Sequence, residues 1–368
     1  MKKKRIRYIG TALLAALWLA LSLWAWFRPP DSISETERRK LAQFPELSGK
    51  TLANGSFMTQ FESYTLDQFP ARDSFRQFKS LFHYGVLRQK DNNGIYLAQG
   101  YAAKLDYPLN ATSVSSAVQK FNSLYERYLS GTGSEIYFAV VPDKGYYLAS
   151  QNGYPAMDYE SLFDLVADGT RWATHVDLTG RLTIEDYYRT DTHWRQENLI
   201  PAAREICQAM SVTPPQAEDY TLQEVVNPFF GVYYGQAALP MAGEPLNILT
   251  SSLLEDCTVF NYETGKTTQV YDMDKRTARD PYDIFLSGAA ALLTIENPGA
   301  GSDRELIVFR DSFGSSLVPL LIADYKTVTL IDIRYVSSEL LGQLVDFHGQ
   351  DVLFLYSTLL LNSSGSLK

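Results

Sequence analysis

The feature that most restricts what this chain can become is one short apolar run without a polar gap, Ile136-Tyr137-Phe138-Ala139-Val140-Val141, with further strand-like runs at 305–309, 326–331 and 351–356. A strand with one wet face alternates polar and apolar residues. A continuous run marks a strand covered on both faces, as in parallel sheets under helices. Between the runs lie stretches of helical period: 113–130 (Val114, Val118, Phe121, Leu124, Tyr125, Leu129), about 159–168, 196–210, 315–323 and 336–344. This alternation predicts an α/β fold with a mostly parallel sheet, and 368 residues suffice to bury its core. Residues 216–300 break the rhythm and read as an irregular insertion. Within them, Phe229-Phe230-Gly231 and Tyr233-Tyr234-Gly235 suggest a flexible aromatic loop over a site.

Ahead of this region the chain changes character. A basic tail (residues 1–7, with Lys2-Lys3-Lys4-Arg5 and Arg7) precedes an uncharged stretch, Tyr8 to Phe27. At about 1.5 Å per helical residue, that stretch covers a roughly 30 Å hydrocarbon layer. Basic residues before it predict a cytoplasmic N-terminus with the remainder extracytoplasmic. A signal peptide is the rival, but Trp24-Ala25-Trp26-Phe27-Arg28-Pro29-Pro30 is a poor cleavage site. Residues 28–60 read as a stalk, followed by a main domain at 61–368. Its first segments are a helix stopped at Pro70 and a second helix from about Asp73 to Gln89. Asp67, Arg72 and Asp73 form a local salt-bridge and capping set between them. The chain's formal charge is −9, and more negative still without the basic tail. That balance argues against nucleic acid or anionic lipid as the main partner. Cys207 and Cys257 allow either one disulfide or two separate buried thiols, and their spacing suggests no metal site.

The density of chemistry peaks at Tyr188-Arg189-Thr190-Asp191-Thr192-His193-Trp194. Only four histidines occur (His83, His175, His193, His348), and one has a carboxylate two residues before it. In an extended segment the two side chains share a face; in a turn Asp191 can still fix the imidazole tautomer. The missing nucleophile is supplied by Ile307-Val308-Phe309-Arg310-Asp311-Ser312-Phe313-Gly314, where an apolar run ends in a small polar turn. A serine hydroxyl needs a base, and the base needs an orienting group. Ser312, His193 and Asp191 would meet that need, with Arg310, Asp311, Trp194 and Tyr233 lining or supporting the pocket. The helix after Ser312 would aim backbone amides at an oxyanion. The plainer alternatives are an N-cap for Ser312 and a structural role for His193. Asp143 and Lys144 close the 136–141 run at a carboxyl end, where α/β folds place binding loops; they line the site or form a surface turn. Asp191, His193 and Asp311 are too thin a set for a metal, so neither metal nor cofactor is expected.

Asp191-Thr192-His193-Trp194 together with Arg310-Asp311-Ser312-Phe313-Gly314 resembles the paired signature of AlgX/AlgJ-type SGNH-hydrolase-like domains, and most closely the DHHW group of bacterial envelope proteins. Glu37-Arg38-Arg39-Lys40-Leu41, Asp67-Gln68-Phe69-Pro70-Ala71-Arg72-Asp73 and Val141-Pro142-Asp143-Lys144 extend the likeness over about residues 35–360. The resemblance implies a three-layer α/β/α sandwich in the permuted order, in which the Asp-x-His pair precedes the serine. It implies a triad carried onto Asp191, His193 and Ser312, with Thr192 standing where the group has its first histidine. It also implies a membrane-anchored acyltransferase or esterase acting on O-acyl groups of a cell-surface or exported polysaccharide. A membrane-bound partner supplying the acyl group is a further expectation. The alternative is a non-catalytic glycan-binding or envelope-assembly protein that keeps the fold.

Overall fold

The computed structural model describes residues 2–368, with side chains from Tyr8 onward, so the side chains of the basic tail lie outside the described residues. It divides into two compact units. One runs to Gln89 and takes in Ala238–Pro240; the other comprises Lys90–Ala237 and Met241–Lys368. The main division between them falls at Gln89.

In the first unit, helix α1 (Lys2–Phe27) contains the 20-residue apolar stretch Tyr8–Phe27, long enough to cross a membrane. Helices α2 (Ser56–Asp67) and α3 (Arg72–Gly85) follow. They are separated at Pro70, since proline has no amide to donate and disfavours helical backbone in the residue before it. The expected charge set at this joint is real and larger than Asp67, Arg72 and Asp73. Glu37 pairs with Arg72 and, at 3.3 Å, with Arg76, while Arg39 reaches Asp67 at 2.5 Å. Helix α3 ends four residues before Gln89.

The second unit is built on an eight-stranded sheet. Its strands are β1 (Ile136–Val141), β2 (Thr174–Val176), β5 (Thr258–Asn261), β6 (Lys266–Gln269), β7 (Leu292–Glu296), β8 (Arg304–Arg310), β9 (Tyr325–Ile331) and β10 (Asp351–Ser357). Strands β3 (Thr221–Phe229) and β4 (Glu244–Thr250) form a separate antiparallel hairpin. The sheet order is β6-β5-β7-β9-β8-β10-β1-β2. The five strands from β9 to β2 are parallel, and β7, β5 and β6 add on antiparallel. Residues 216–300 are thus more regular than their sequence pattern suggests, since three of their segments extend the central sheet.

Period-two alternation within the apolar runs gives the sheet two cores. Tyr137, Ala139, Leu306, Val308, Leu353 and Leu355 face one; Phe138, Ile307, Phe309, Val352 and Phe354 face the other. The first core is covered by helix α7 (Ile200–Ala209) and the segments around Ile284 and Leu320. The second is covered by α4 (Ala111–Leu124) and α6 (Tyr159–Gly169). Dry packing on both sides explains why the middle of β1, β8 and β10 is apolar at every position, with charged residues confined to the ends of β8 and β10. The helix expected at 315–323 is instead α9 (Gly314–Leu317) continued by a 3₁₀ turn at Val318–Leu320. Pro319 has no N–H to return to the carbonyl of Ser315 and cuts the α-helix short. Residues Ser338–Gln343 likewise form 3₁₀ turns where a longer helix is expected.

Candidate active site

Ser312 lies two residues past the carboxyl end of β8, in the turn leading into α9, and is half-buried. The turn is held by its own polar groups. The Asp311 carboxylate accepts the amide of Phe313 (3.0 Å) and, from the end of β10, the amide of Ser357 (2.9 Å). Arg310 is fully buried; its Nη1 donates to Ser315 Oγ (2.9 Å), and its side chain runs under Gly314. A Cβ on Gly314 would approach Arg310 Cβ to 2.9 Å, so only glycine lets the turn close over the arginine. Burial lowers the Arg310 pKa from its ordinary value. The expected oxyanion donors need correction. The amides of Phe313, Gly314 and Ser315 are bonded to Asp311 Oδ1, Asp311 O and Ser312 O within the turn, so the first turn of α9 does not point free amides outward.

His193 comes from the loop between Tyr187 and Trp194, which pair as an isolated antiparallel bridge. The loop is a turn and not an extended strand. Asp191 Oδ1 accepts the backbone amide of His193 (3.0 Å) and its ring Nδ1–H (2.6 Å), a turn that aspartate favours because its carboxylate reaches the amide two residues on. With Nδ1 protonated against Asp191, the Nε2 lone pair faces Ser312 Oγ at 2.8 Å. Residues 119 apart in sequence therefore form a continuous Asp–His–Ser line. Trp194 fastens the two segments together, since its Nε1 donates to Ser316 Oγ (2.9 Å) and Phe313 O (3.1 Å).

Several supports carry no sequence signal. Tyr282 stacks on the imidazole (ring centroids 4.0 Å apart, planes 6° apart) and shares a hydrogen bond with Ser316 Oγ (2.7 Å). Phe313 closes the ring on another side at 5.2 Å. The segment expected as a flexible aromatic loop is instead a clamp that includes helix α8 (Val232–Ala237). Gly231 N donates to Thr190 Oγ1 (2.9 Å), Val232 N to Asp191 Oδ2 (2.8 Å) and Tyr234 N to Thr190 O (3.1 Å). Tyr233 is buried, and its hydroxyl bonds to Thr192 Oγ1 at 3.0 Å; its polar end is thereby committed to the loop.

Asp143 and Lys144 are buried and do not form a surface turn. Asp143 caps helix α5 (Lys144–Leu148) and accepts hydrogen bonds from Thr358 Oγ1 (2.7 Å) and Tyr159 (3.1 Å). Burial raises its pKa against the pull of those bonds. Lys144 Nζ donates to Tyr188 O (2.9 Å) and lies 5.0 Å from the Tyr233 ring centroid. Glu244 accepts the amide of Thr190 (3.1 Å), and burial raises its pKa. Lys144 and Glu244 thus grip the loop behind Asp191. Burial pushes the Lys144 ammonium down to about 7, while Asp191, Glu244 and Asp143 resist that shift.

The sign of the resulting pH dependence follows. An unfolded lysine keeps its proton to about 10.4, whereas folded Lys144 releases it near 7, so between these values the unfolded chain binds more protons. Stability of the wild type relative to Lys144→Met should therefore rise from pH 7 to 9, by at most about 1.4 kcal/mol per pH unit. Thermal melts of both full-length chains in detergent across that range measure it; a constant difference would contradict the burial of this charge.

Both cysteines are free and buried, which settles the choice between a disulfide and two thiols in favour of the thiols. Among the described residues, no group of three His, Cys, Asp or Glu side chains is arranged to hold a metal.

No protein-family model matches the chain, and no curated protein matches it in sequence. Solved structures do. A DHHW family protein from Eubacterium siraeum superposes with a TM-score of 0.62 at 20% identity, over 75% of this chain and 94% of that one. Bacillus cereus PatB1 superposes with a TM-score of 0.58 at 19% identity, over 73% of this chain and 96% of that one, and has also been solved with a sulfonyl adduct. The O-acetyltransferase domain of Pseudomonas putida AlgJ is a looser match, with a TM-score of 0.45 at 15% identity over 73% of this chain and 92% of that one. Over about three quarters of its length, this chain has the fold of the DHHW family protein and of PatB1.

Proposed function

We propose that this protein is a serine acyltransferase or esterase acting on O-acyl groups of a cell-surface or exported polysaccharide. The observation that carries the reading is the 2.6 Å and 2.8 Å pair of contacts that links Asp191, His193 and Ser312, with the serine half-open to solvent. Ser312 Oγ attacks the acyl carbonyl while His193 Nε2 takes its proton. Asp191 stabilises the imidazolium, which returns the proton to the departing alcohol and leaves an acyl-serine. An incoming hydroxyl then gives its proton to Nε2 and attacks the ester, and Ser312 leaves with that proton. A sugar hydroxyl makes the step a transfer; water makes it hydrolysis. The backbone donor left for the oxyanion is the amide of Ser312 itself, since its three successors are engaged in the turn.

The SGNH-type sandwich in permuted order accords with helices on both faces of a largely parallel sheet and with the late position of the serine. In this reading, residues 1–7 are cytoplasmic, Tyr8–Phe27 anchors the chain, and the residues from 28 onward are extracytoplasmic. Polysaccharide as acceptor rests on the family resemblance. Sulfonylation tests the nucleophile without knowledge of the substrate. A phenylmethyl sulfonyl fluoride should add one sulfonyl group to the wild type, located by peptide mass spectrometry on Ser312, and none to His193→Ala. Labelling that survives the histidine change would mean that no base activates this serine, and the non-catalytic reading would take its place.

A further inference from the structure

Helix α3 is packed inside out. A surface helix ordinarily turns its apolar stripe inward and its charges to water. In α3 the one fully buried side chain is Ser80, at 0% exposure, and Arg76 on the same side is held by Glu37. The opposite side presents Phe75 (48% exposed), Phe78 (68%), Leu81 and Phe82, and the stripe continues at Val86 (64%). At about 100° per residue these five fall on one face; Phe75 also packs edge-on against Phe69 (ring centroids 5.2 Å apart), but the face as a whole leaves much apolar surface in water.

Charge along the same segment points to what covers it. Residues 74–89 carry three basic side chains and no acidic one, in a chain of formal charge −9; Arg76 is held by Glu37 on the inner side, which leaves Lys79 and Arg88 for the outer one. Lys79 is exposed and lies four residues after Phe75 and three before Phe82, at the border of the stripe. An aromatic stripe edged by a lysine and followed by an arginine, here Lys79 and Arg88, is the pattern of a helix lying in a lipid interface, where the stems of the basic residues cover apolar surface and their heads reach anionic headgroups. The position in the chain agrees, because α3 belongs to the same compact unit as α1. We infer that the face of α3 formed by Phe75, Phe78, Leu81, Phe82 and Val86 docks on the surface of the membrane that α1 enters, against anionic lipid. This rests on Tyr8–Phe27 being a membrane span and is independent of the Asp191–His193–Ser312 chemistry. The local basic run escapes notice in the net charge, which by itself speaks against anionic lipid.

The test uses the full chain in lipid nanodiscs of phosphatidylcholine, with and without phosphatidylglycerol. Spin labels are placed singly at Phe78→Cys, Phe82→Cys, Gln77→Cys and, within the span, Leu14→Cys. Cys207 and Cys257 stay silent because burial pushes their thiols up to about 12 and about 11. Relaxation by dissolved oxygen reports lipid exposure, and relaxation by a water-soluble nickel chelate reports solvent exposure. The ratio of oxygen to chelate access should be several-fold higher at residues 78 and 82 than at 77, and should rise further with phosphatidylglycerol. Chelate access at 78 and 82 equal to that at 77 would overturn the proposal. So would exclusion of both reagents there, the signature of a covering protein, and so would a ratio indifferent to phosphatidylglycerol. The label at residue 14 reports the span separately, so a failure of the anchor is distinguishable from a failure of α3 to dock.

Discussion

Ser312→Ala should abolish the acyl-enzyme and lower acyl turnover by about 10⁴-fold or more, with His193→Ala close behind. The two changes should not multiply, because each removes the same step. Asp191→Asn keeps the shape of the turn but removes the charge that holds the Nδ1 proton in place. A loss of roughly 10⁴-fold in kcat follows if the amide turns the imidazole to the wrong tautomer. These values are read by following release of alcohol from an activated acetyl ester, with thermal melts alongside. Ser312→Ala removes one half-buried hydroxyl, so its melting temperature should move little. A Ser312→Ala protein with wild-type turnover would leave the triad with no role.

Gly231→Ala should disable the site from outside it. A methyl group on Gly231 would come within 2.2 Å of Asp191 Cβ and 2.3 Å of its Cα, contacts no real Cβ makes. The clash sits between the two amides that hold the loop, Gly231 N on Thr190 Oγ1 and Val232 N on Asp191 Oδ2. Relief requires the loop and the clamp to part, which carries Asp191 and with it His193 away from Ser312. A displacement of about 1 Å in a catalytic group costs on the order of 100-fold in rate, and overpacking of this kind costs about 1–3 kcal/mol in stability. Turnover and melting temperature should therefore fall together, unlike in Ser312→Ala. Sulfonylation of Ser312 should slow by a similar factor. An alanine variant with normal kinetics would mean that the clamp does not fix Asp191.

The contrast between these two variants reflects what a sequence displays. Strand β1 is legible to the residue because six successive apolar side chains leave no wet face, and the flanking Gly131–Gly133 and Pro142 stop anything longer. Asp191, His193 and Ser312 are legible because their side-chain types advertise chemistry and each stands at a break in pattern. The supports are different in kind. Gly231 and Val232 act through backbone amides, which every residue but proline carries, so nothing in their identity marks them. Tyr282 acts by stacking, and one tyrosine among 24 cannot be singled out without knowing that His193 lies 4.0 Å away. The same limit misplaced α9, where Pro319 outweighed a helical spacing, and concealed α3, whose apolar period gives the helix but not the direction its stripe faces. Period tells which residues share a side; only packing tells what that side meets.

The most direct test of the acyl-serine is intact and peptide mass spectrometry of the full-length protein in detergent, after brief incubation with an activated acetyl ester. Wild type, Ser312→Ala and His193→Ala are compared. The account predicts a single acetyl adduct on the wild type, mapped to the peptide containing Ser312 and absent from both variants. An adduct that persists in Ser312→Ala, or a wild type with neither adduct nor ester turnover, would contradict it.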